Sequence, residues 1–236
     1  MATAVEPLYD KRYQCLFCGR EFTNKKLRLS QIRQVKRDSD LCTYFEGENP
    51  YFYEVAVCPH CGYAFTTNFG PVKKERRELI MKEYIQKITR KDYTGRRNLH
   101  EALNVHKLGL LCGNLNQEKR SVLAGLCLHI AWFYRYGREE EEEKKYLRYA
   151  CDLYQEAYQK ESVGGGTANL IIYLIGELEG RLGNYLTATQ WLARLLQVRN
   201  LEPYLRDLLR DRWEVYRNHL KETTPSAGPE EGRQTL

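Results

Sequence analysis

Two short cysteine motifs near the start of the chain have the spacing of a metal site. Cys15 and Cys18 stand in a Cys-x-x-Cys-Gly sequence, and Cys58 and Cys61 repeat it after 39 intervening residues. In such a turn two sulfurs can face one ion, and the glycine takes the positive φ angle that lets the chain leave. Two turns supply four thiolates, the ligand set of a tetrahedral ion. The spacing therefore predicts one metal ion bound by these four residues.

Zinc is the ion that this ligand set favours. Sulfur-only tetrahedral sites also bind iron, which stays the alternative, but zinc has no redox chemistry for the protein to control. A redox-active Cys-x-x-Cys pair is disfavoured because such a motif needs no second copy. Four protein ligands leave no open position for water, so we expect the zinc to be structural and to contribute to folding. The other four cysteines are expected to be small core residues: Cys42, Cys112, Cys127 and Cys151.

Strand-forming residues lie between the two motifs. Residues 51–57 (YFYEVAV) are rich in aromatic and β-branched side chains, and residues 27–35 begin by alternating leucine with polar side chains. A module of about 60 residues is too small to rely on its hydrophobic core alone. We therefore predict a small antiparallel β module over residues 8–70, stapled by zinc.

Helix-forming residues dominate the rest of the chain. Small and large side chains recur there at positions i, i+4 and i+7, a spacing that lets one helix pack closely on its neighbour. The three sets are Ala150, Tyr154 and Ala157; Ala188, Leu192 and Leu195; and, more weakly, Ala102, His106 and Gly109. Residues 171–196 partly match the tetratricopeptide pattern. We predict an α+β chain in which the β module precedes an all-α, tetratricopeptide-like helical domain over residues 72–220, with a disordered tail over 223–236.

The composition is that of a soluble globular protein. Hydrophobic residues make up 42% and charged residues 29%, with a mean hydropathy of −0.64. No apolar run reaches the roughly 18 residues that a membrane span needs. The first residues lack a basic segment followed by an apolar stretch, so we expect no secretory signal and a cytoplasmic protein with reduced thiols.

The positive charge is concentrated in one stretch. The formal net charge is +6, and residues 71–100 alone carry ten Lys and Arg against four Asp and Glu. The basic stretch 73–97 could contact phosphates, which would suit a nucleic-acid-binding regulatory protein. Glutamates interleaved at 75, 78 and 83 favour a solvated helix face instead.

The sequence contains no H-E-x-x-H, Walker-loop, G-x-S-x-G or Rossmann glycine motif, and its five histidines are scattered. We therefore expect a non-enzymatic adaptor that binds a protein partner through its helical hairpins, with no membrane partner and no identified small-molecule substrate. Nucleic-acid binding through the zinc-stapled module, a ribbon, together with residues 73–97 is the alternative. A hydrolase is the third hypothesis, although turn chemistry around Cys42 explains its four carboxylates better: Asp38, Asp40, Glu46 and Glu48.

Several segments together resemble one bacterial family. They are the two cysteine motifs, the stretch KRDSDLCTYFEGENPYFYEVAVCPHCGYAF (residues 36–65) and YLIGELEGRLGNY (residues 173–185). The combination is similar to the family known as domain of unknown function 2225. This resemblance implies a bacterial cytoplasmic protein with a metal-binding ribbon and a tetratricopeptide-like helical half. It implies no activity, because none is assigned to the family.

Overall fold

The computed structural model describes residues 6–162 and 164–223. The tail expected to be disordered, residues 223–236, lies outside the described residues except for its first position. The chain forms two compact units, 1–163 and 164–236. The class is α+β, as predicted, with small antiparallel hairpins followed by helices.

Six short strands within the described residues pair as three separate antiparallel hairpins. They are β1 (Leu8–Gln14) with β2 (Glu21–Leu27), β3 (Arg33–Arg37) with β4 (Thr43–Glu46), and β5 (Ala56–Val57) with β6 (Ala64–Phe65). One cysteine motif forms the turn of the first hairpin, and the other forms the turn of the third. The local chain reversals of the two motifs therefore set the ends of these hairpins.

The strands expected at 27–35 and 51–57 are only partly formed. A 3-10 turn, Leu29–Gln31, separates β2 from β3, and a second one, Pro50–Tyr53, replaces most of the expected strand before β5. Asn49 causes the second difference, because its side chain accepts a 2.9 Å hydrogen bond from the backbone N–H of Tyr51. Pro50 then supplies the first-turn φ angle that a helix needs. Capping therefore overrides the strand propensity of this aromatic segment.

Helices complete the first unit. α1 (Arg77–Ile80) continues into a single π-helical turn, Met81–Ile85, and is followed by α2 (Leu99–Asn116), α3 (Arg120–Gly137) and α4 (Glu140–Lys160). A capping box starts α2, where Asn98 Oδ1 accepts from the N–H of Glu101 and the Glu101 carboxylate accepts from the N–H of Asn98. The acidic first turn of α4 complements its helix dipole.

The β module and α2 share one core. Val55, Tyr63 and Phe65 of the module belong to the same buried cluster as Val105 and Cys112 of α2. A Cβ atom added at Gly109 of α2 would lie only 3.2 Å from Val55 Cγ1, which shows how closely the helix approaches. The short two-stranded sheets cannot bury an apolar face by themselves, so they pack on the helices. This explains why the first unit extends to residue 163.

The second unit contains α5 (Gly165–Arg181), α6 (Tyr185–Leu196) and α7 (Pro203–Thr223). Gly183, with φ of 85°, ends α5 and leads directly into α6. The stripe Ala188, Leu192 and Leu195 is buried, as is its counterpart on α4, so both sets have the packing role that their spacing predicts. No helix within the two described stretches is both long and apolar enough to cross a membrane.

Replacing Gly180 with alanine should destabilise the second unit by about 1–3 kcal/mol, the usual cost of overpacking. A Cβ atom there would overlap the ring of Tyr216 on α7. That ring cannot shift freely, because Tyr216 Oη donates a 2.8 Å hydrogen bond to the buried carboxylate of Glu177. Urea unfolding followed by circular dichroism measures the effect.

Gly125→Ala is the matched control. Gly125 also lies inside a helix, α3, but a Cβ atom there would have no neighbour closer than Tyr154 Oη at 3.9 Å. The gain in helix propensity, up to about 1 kcal/mol, should then leave this variant at least as stable as the parent. Equal stability of the two variants would contradict the packing argument.

Candidate metal centre

The structure brings the four predicted sulfurs together. Cys15 Sγ lies 3.5 Å from Cys61 Sγ, and Cys18 Sγ lies 3.7 Å from Cys58 Sγ. All four sulfurs lie within 4.8 Å of one another. Ligands at about 2.3 Å around a tetrahedral zinc ion stand about 3.8 Å apart, which matches these separations. The cluster could therefore hold one metal ion.

Both turns use the same backbone hydrogen bonds. Gly19 N donates to Cys15 O at 3.0 Å, and Gly62 N donates to Cys58 O at 2.7 Å. The two glycines have φ angles of 74° and 81°, the positive values that the sequence predicts. Cys18 N also points at Cys15 Sγ at 3.4 Å, which directs backbone positive charge at a sulfur. The two motifs thus present their thiols in equivalent local geometries.

Packing against helices fixes the second turn. Tyr84, in the π-helical turn after α1, donates a 2.7 Å hydrogen bond from its hydroxyl to Gly62 O. Ala64 N points at Cys112 Sγ of α2 at 3.4 Å. Phe17 stacks on the fully buried Tyr63, with ring centroids 5.7 Å apart, and covers the site from the other turn. Residues outside the two motifs therefore set the position of the site within the unit.

The crowded sulfurs influence one another's protonation. A hydrogen bond from Cys61, whose effect exceeds that of burial, lowers the pKa of Cys15 to about 5. Burial raises the pKa of Cys58 to about 11, and donation to Cys15 raises the pKa of Cys61. The hydrogen bond thus favours the thiolate form of Cys15 over that of Cys61. A bound cation would stabilise all four as thiolates.

Cys42 is not a fifth ligand. Its thiol is buried and lies 3.6 Å from the hydroxyl of Tyr136, and burial raises its pKa to about 12. The remaining thiols are likewise buried among helices, as expected for small core residues: Cys112, Cys127 and Cys151.

The carboxylates of residues 38–48 lie in two different environments. Arg135 binds the first two, with Nη1 3.0 Å from Asp38 Oδ2 and Nη2 2.6 Å from Asp40 Oδ2. Asp40 also accepts from Cys42 N at 3.3 Å, the turn contact that the sequence favours. Elsewhere, Glu48 accepts from Tyr53 Oη at 2.7 Å. These contacts give Asp38, Asp40 and Glu48 clear structural partners, while Glu46 forms an exposed, longer pair with Arg33 at 3.8 Å.

The basic stretch is also partly structural. Arg97 is buried, and its guanidinium donates to Phe52 O at 2.9 Å, Val55 O at 2.7 Å and Asn24 Oδ1 at 3.1 Å. Burial lowers its pKa to about 10, so it stays charged at neutral pH. A residue held this way cannot reach a phosphate backbone. Lys74, Arg77 and Lys82 remain exposed in the same stretch.

A second group of metal-ligand-type side chains is marked by no sequence motif. Glu54, His106 and His129 each offer one ligand atom within 4.8 Å of the others. Residues 54, 106 and 129 are far apart in the chain, so no short motif marks them. One signal exists, because His106 occupies the large position of a buried i, i+4, i+7 stripe, where an apolar residue is expected.

Comparisons with known proteins give one finding. No curated protein and no solved structure is similar enough to the chain to count as a match. A family model, described as an uncharacterised protein conserved in bacteria, matches residues 8–216. That range includes both cysteine motifs and helices α1 to α7, except for the last turns of α7. The chain therefore belongs to the uncharacterised bacterial family DUF2225.

Proposed function

We propose that Cys15, Cys18, Cys58 and Cys61 hold a structural zinc ion. The sulfur separations near 3.5 Å and 3.7 Å support a single tetrahedral ion. Such a site has no coordination position for a substrate, so the ion acts through stability. Elemental analysis of the purified chain tests this, with about one zinc per chain expected. A coloured preparation that contains iron at the same stoichiometry would contradict the zinc assignment.

We further propose that the protein is a non-enzymatic adaptor whose second unit binds a protein partner. The observation that carries this proposal is that three large apolar side chains of α6 and the start of α7 are exposed. Leu186, Leu196 and Tyr204 are 61%, 55% and 49% exposed. The buried stripe of α6 packs within the unit, whereas these exposed side chains are accessible to a binding partner. Proteins associate through apolar surface of this kind, so these side chains are the candidates for contact with a partner.

Nucleic-acid binding stays the alternative because part of the basic stretch is accessible. Lys74, Arg77 and Lys82 are exposed, whereas Arg97 is buried and Lys73 Nζ donates to Gln117 O at 3.1 Å. Glu83 pairs with Lys87, which further reduces the free positive charge. The stretch therefore has fewer basic side chains available to bind phosphate than its composition suggests.

Quantitative affinity purification with the full chain separates the two functions. The bait is expressed in a bacterium that naturally contains it, and captured proteins are quantified by mass spectrometry. Leu186→Glu with Leu196→Glu should remove a specific partner, because charge on an apolar contact surface opposes binding. The control places charges on exposed apolar residues of the first unit, Leu29→Glu with Val35→Glu, and should retain the partner.

Two results would contradict the adaptor proposal. One is unchanged capture by the Leu186/Leu196 variant when its circular dichroism and thermal midpoint match the parent. The other is micromolar binding of DNA or RNA at moderate salt that Lys74→Glu with Arg77→Glu abolishes, since phosphate contacts of this kind give such affinities.

A further inference from the structure

Three side chains from different elements of the first unit converge beside a cavity. Glu54 follows the 3-10 turn Pro50–Tyr53, His106 lies in the middle of α2, and His129 lies on α3. One nitrogen or oxygen atom from each lies within 4.8 Å of the others. Two imidazoles and a carboxylate are a common ligand set for divalent transition-metal ions.

His106 presents an unpartnered lone pair. Its Nδ1 lies 2.8 Å from Ala102 O, and because a carbonyl oxygen can only accept, Nδ1 must carry the proton. Nε2 is then an acceptor, yet it is buried without a hydrogen-bond partner among the described residues. Burial lowers the pKa of His106 to about 3, so the ring stays neutral. A metal-binding histidine is oriented in this way, with its other nitrogen held by a backbone carbonyl.

His129 and Glu54 make the second half of the cluster. His129 Nδ1 lies 2.9 Å from Glu54 Oε2, but the ring is not aligned to form a hydrogen bond to that oxygen. The ring is held between Tyr51 and Trp132, with centroids 4.8 Å and 4.7 Å away. This contact positions the two atoms close together without satisfying His129 Nδ1.

The backbone around Glu54 is held in place. Arg97 donates to Val55 O at 2.7 Å and to Phe52 O at 2.9 Å, on either side of Glu54. Burial raises the pKa of Glu54, but the nearby His129 imidazole and the other basic groups beside it, His106 and Lys26, outweigh burial and keep the pKa below its usual value. Glu54 is therefore an ionised ligand on a constrained segment.

The cluster has a route to solvent. A cavity of about 290 Å³ has Glu54 and His129 in its wall, with His106 not among its lining residues. Polar side chains make up much of the remaining lining, including Lys26, Thr66, Asn68 and Ser121. An ion could enter through this cavity and keep water or an anionic oxygen ligand on its open side.

We propose that Glu54, His106 and His129 form a second metal site, which binds one divalent transition-metal ion and leaves coordination positions open to the cavity. Neighbouring ligands of such an ion stand about 3.3 Å apart, so the present spread of up to 4.8 Å requires only a modest closure of the side chains. The site differs from the cysteine cluster because it has three protein ligands, none of them sulfur. It does not depend on the adaptor proposal.

Cobalt binding tests the site in the untagged full chain. Protein saturated with zinc at the cysteines is titrated with Co²⁺, separated from free ion, and analysed for both metals. We expect about one zinc and about one cobalt per chain. The cobalt spectrum should lack the intense thiolate-to-metal charge-transfer bands, because nitrogen and oxygen ligands cannot produce them. Retained zinc reports that the fold around the cysteines is intact.

Glu54→Gln and His129→Asn remove one ligand each with little change in volume. Each should reduce bound cobalt from about one per chain to nearly none and leave the zinc content unchanged. His100→Asn is the matched control, because His100 lies on the same helix as His106 but is exposed, and it should bind cobalt as the parent does. Parent protein that takes up no cobalt beyond the cysteine site would overturn the proposal. Folded Glu54→Gln and His129→Asn variants with undiminished cobalt would also overturn it.

Discussion

Cys58→Ser should abolish zinc binding by the cysteine cluster and destabilise the whole first unit, residues 1–163, by more than about 4 kcal/mol. The reason is the shared core. Cys58 is fully buried in the cluster that also contains Val105 and Cys112 of α2. Without the ion, the two cysteine turns are no longer joined through a shared metal. The apolar face of α2 that packs against them then becomes exposed to water. Metal analysis, thermal unfolding and hydrogen exchange over residues 6–162 provide the measurement.

Cys127→Ala is the control for this prediction. Cys127 is also a buried thiol of the first unit, but it lies on α3. Burial raises its pKa, and the four clustered cysteines are not a cause of that increase. The loss of one small buried side chain should cost about 1 kcal/mol and leave the zinc content unchanged. A strong chelator added to the parent should reproduce the Cys58→Ser result. Exchange that increases only in residues 8–70, with α2 to α4 fully protected, would show that the two regions fold independently.

Arg135→Met should cost about 3–5 kcal/mol, because it removes the guanidinium that pairs with a buried carboxylate. The Arg135 side chain is only 13% exposed and binds Asp38, Asp40 and Glu143. Asp40 is completely buried and also accepts a hydrogen bond from Trp132 Nε1, at 3.1 Å. Methionine retains most of the apolar volume, so the effect measures the lost charge. Urea unfolding of the purified variant gives the free energy.

Lys36→Met is the matched control for Arg135. Lys36 Nζ also pairs with Asp38, at 2.8 Å, but its side chain is 66% exposed. An ion pair of this kind contributes roughly 0–1 kcal/mol. The double variant Arg135→Met with Asp40→Asn should recover part of the lost stability, because it also removes the negative charge that Arg135 neutralises. If Arg135→Met costs no more than Lys36→Met, the buried ion pairs do not stabilise the fold as proposed.

Local sequence determined the parts of this protein that depend on neighbouring residues. The Cys-x-x-Cys-Gly motifs specify their own turns, because the backbone hydrogen bonds and the positive φ of Gly19 and Gly62 lie within five residues. Helix periodicity likewise identified the buried faces of α4 and α6. These features, and the family itself, could be predicted. Local competition also explains the failed strand at 51–57, where the side chain of Asn49 caps a 3-10 turn.

Only the tertiary structure decided which distant residues meet. Arg135 reaches Asp40 from 95 positions away and forms ion pairs with both Asp38 and Asp40, a contact that the sequence does not reveal. Glu54, His106 and His129 come together only because α2 and α3 pack beside the segment that leads to Cys58. The division at residue 163 has the same origin, since the small hairpins need helices to cover them. Such contacts are determined by packing of complete elements, and neither spacing nor periodicity within one element encodes them.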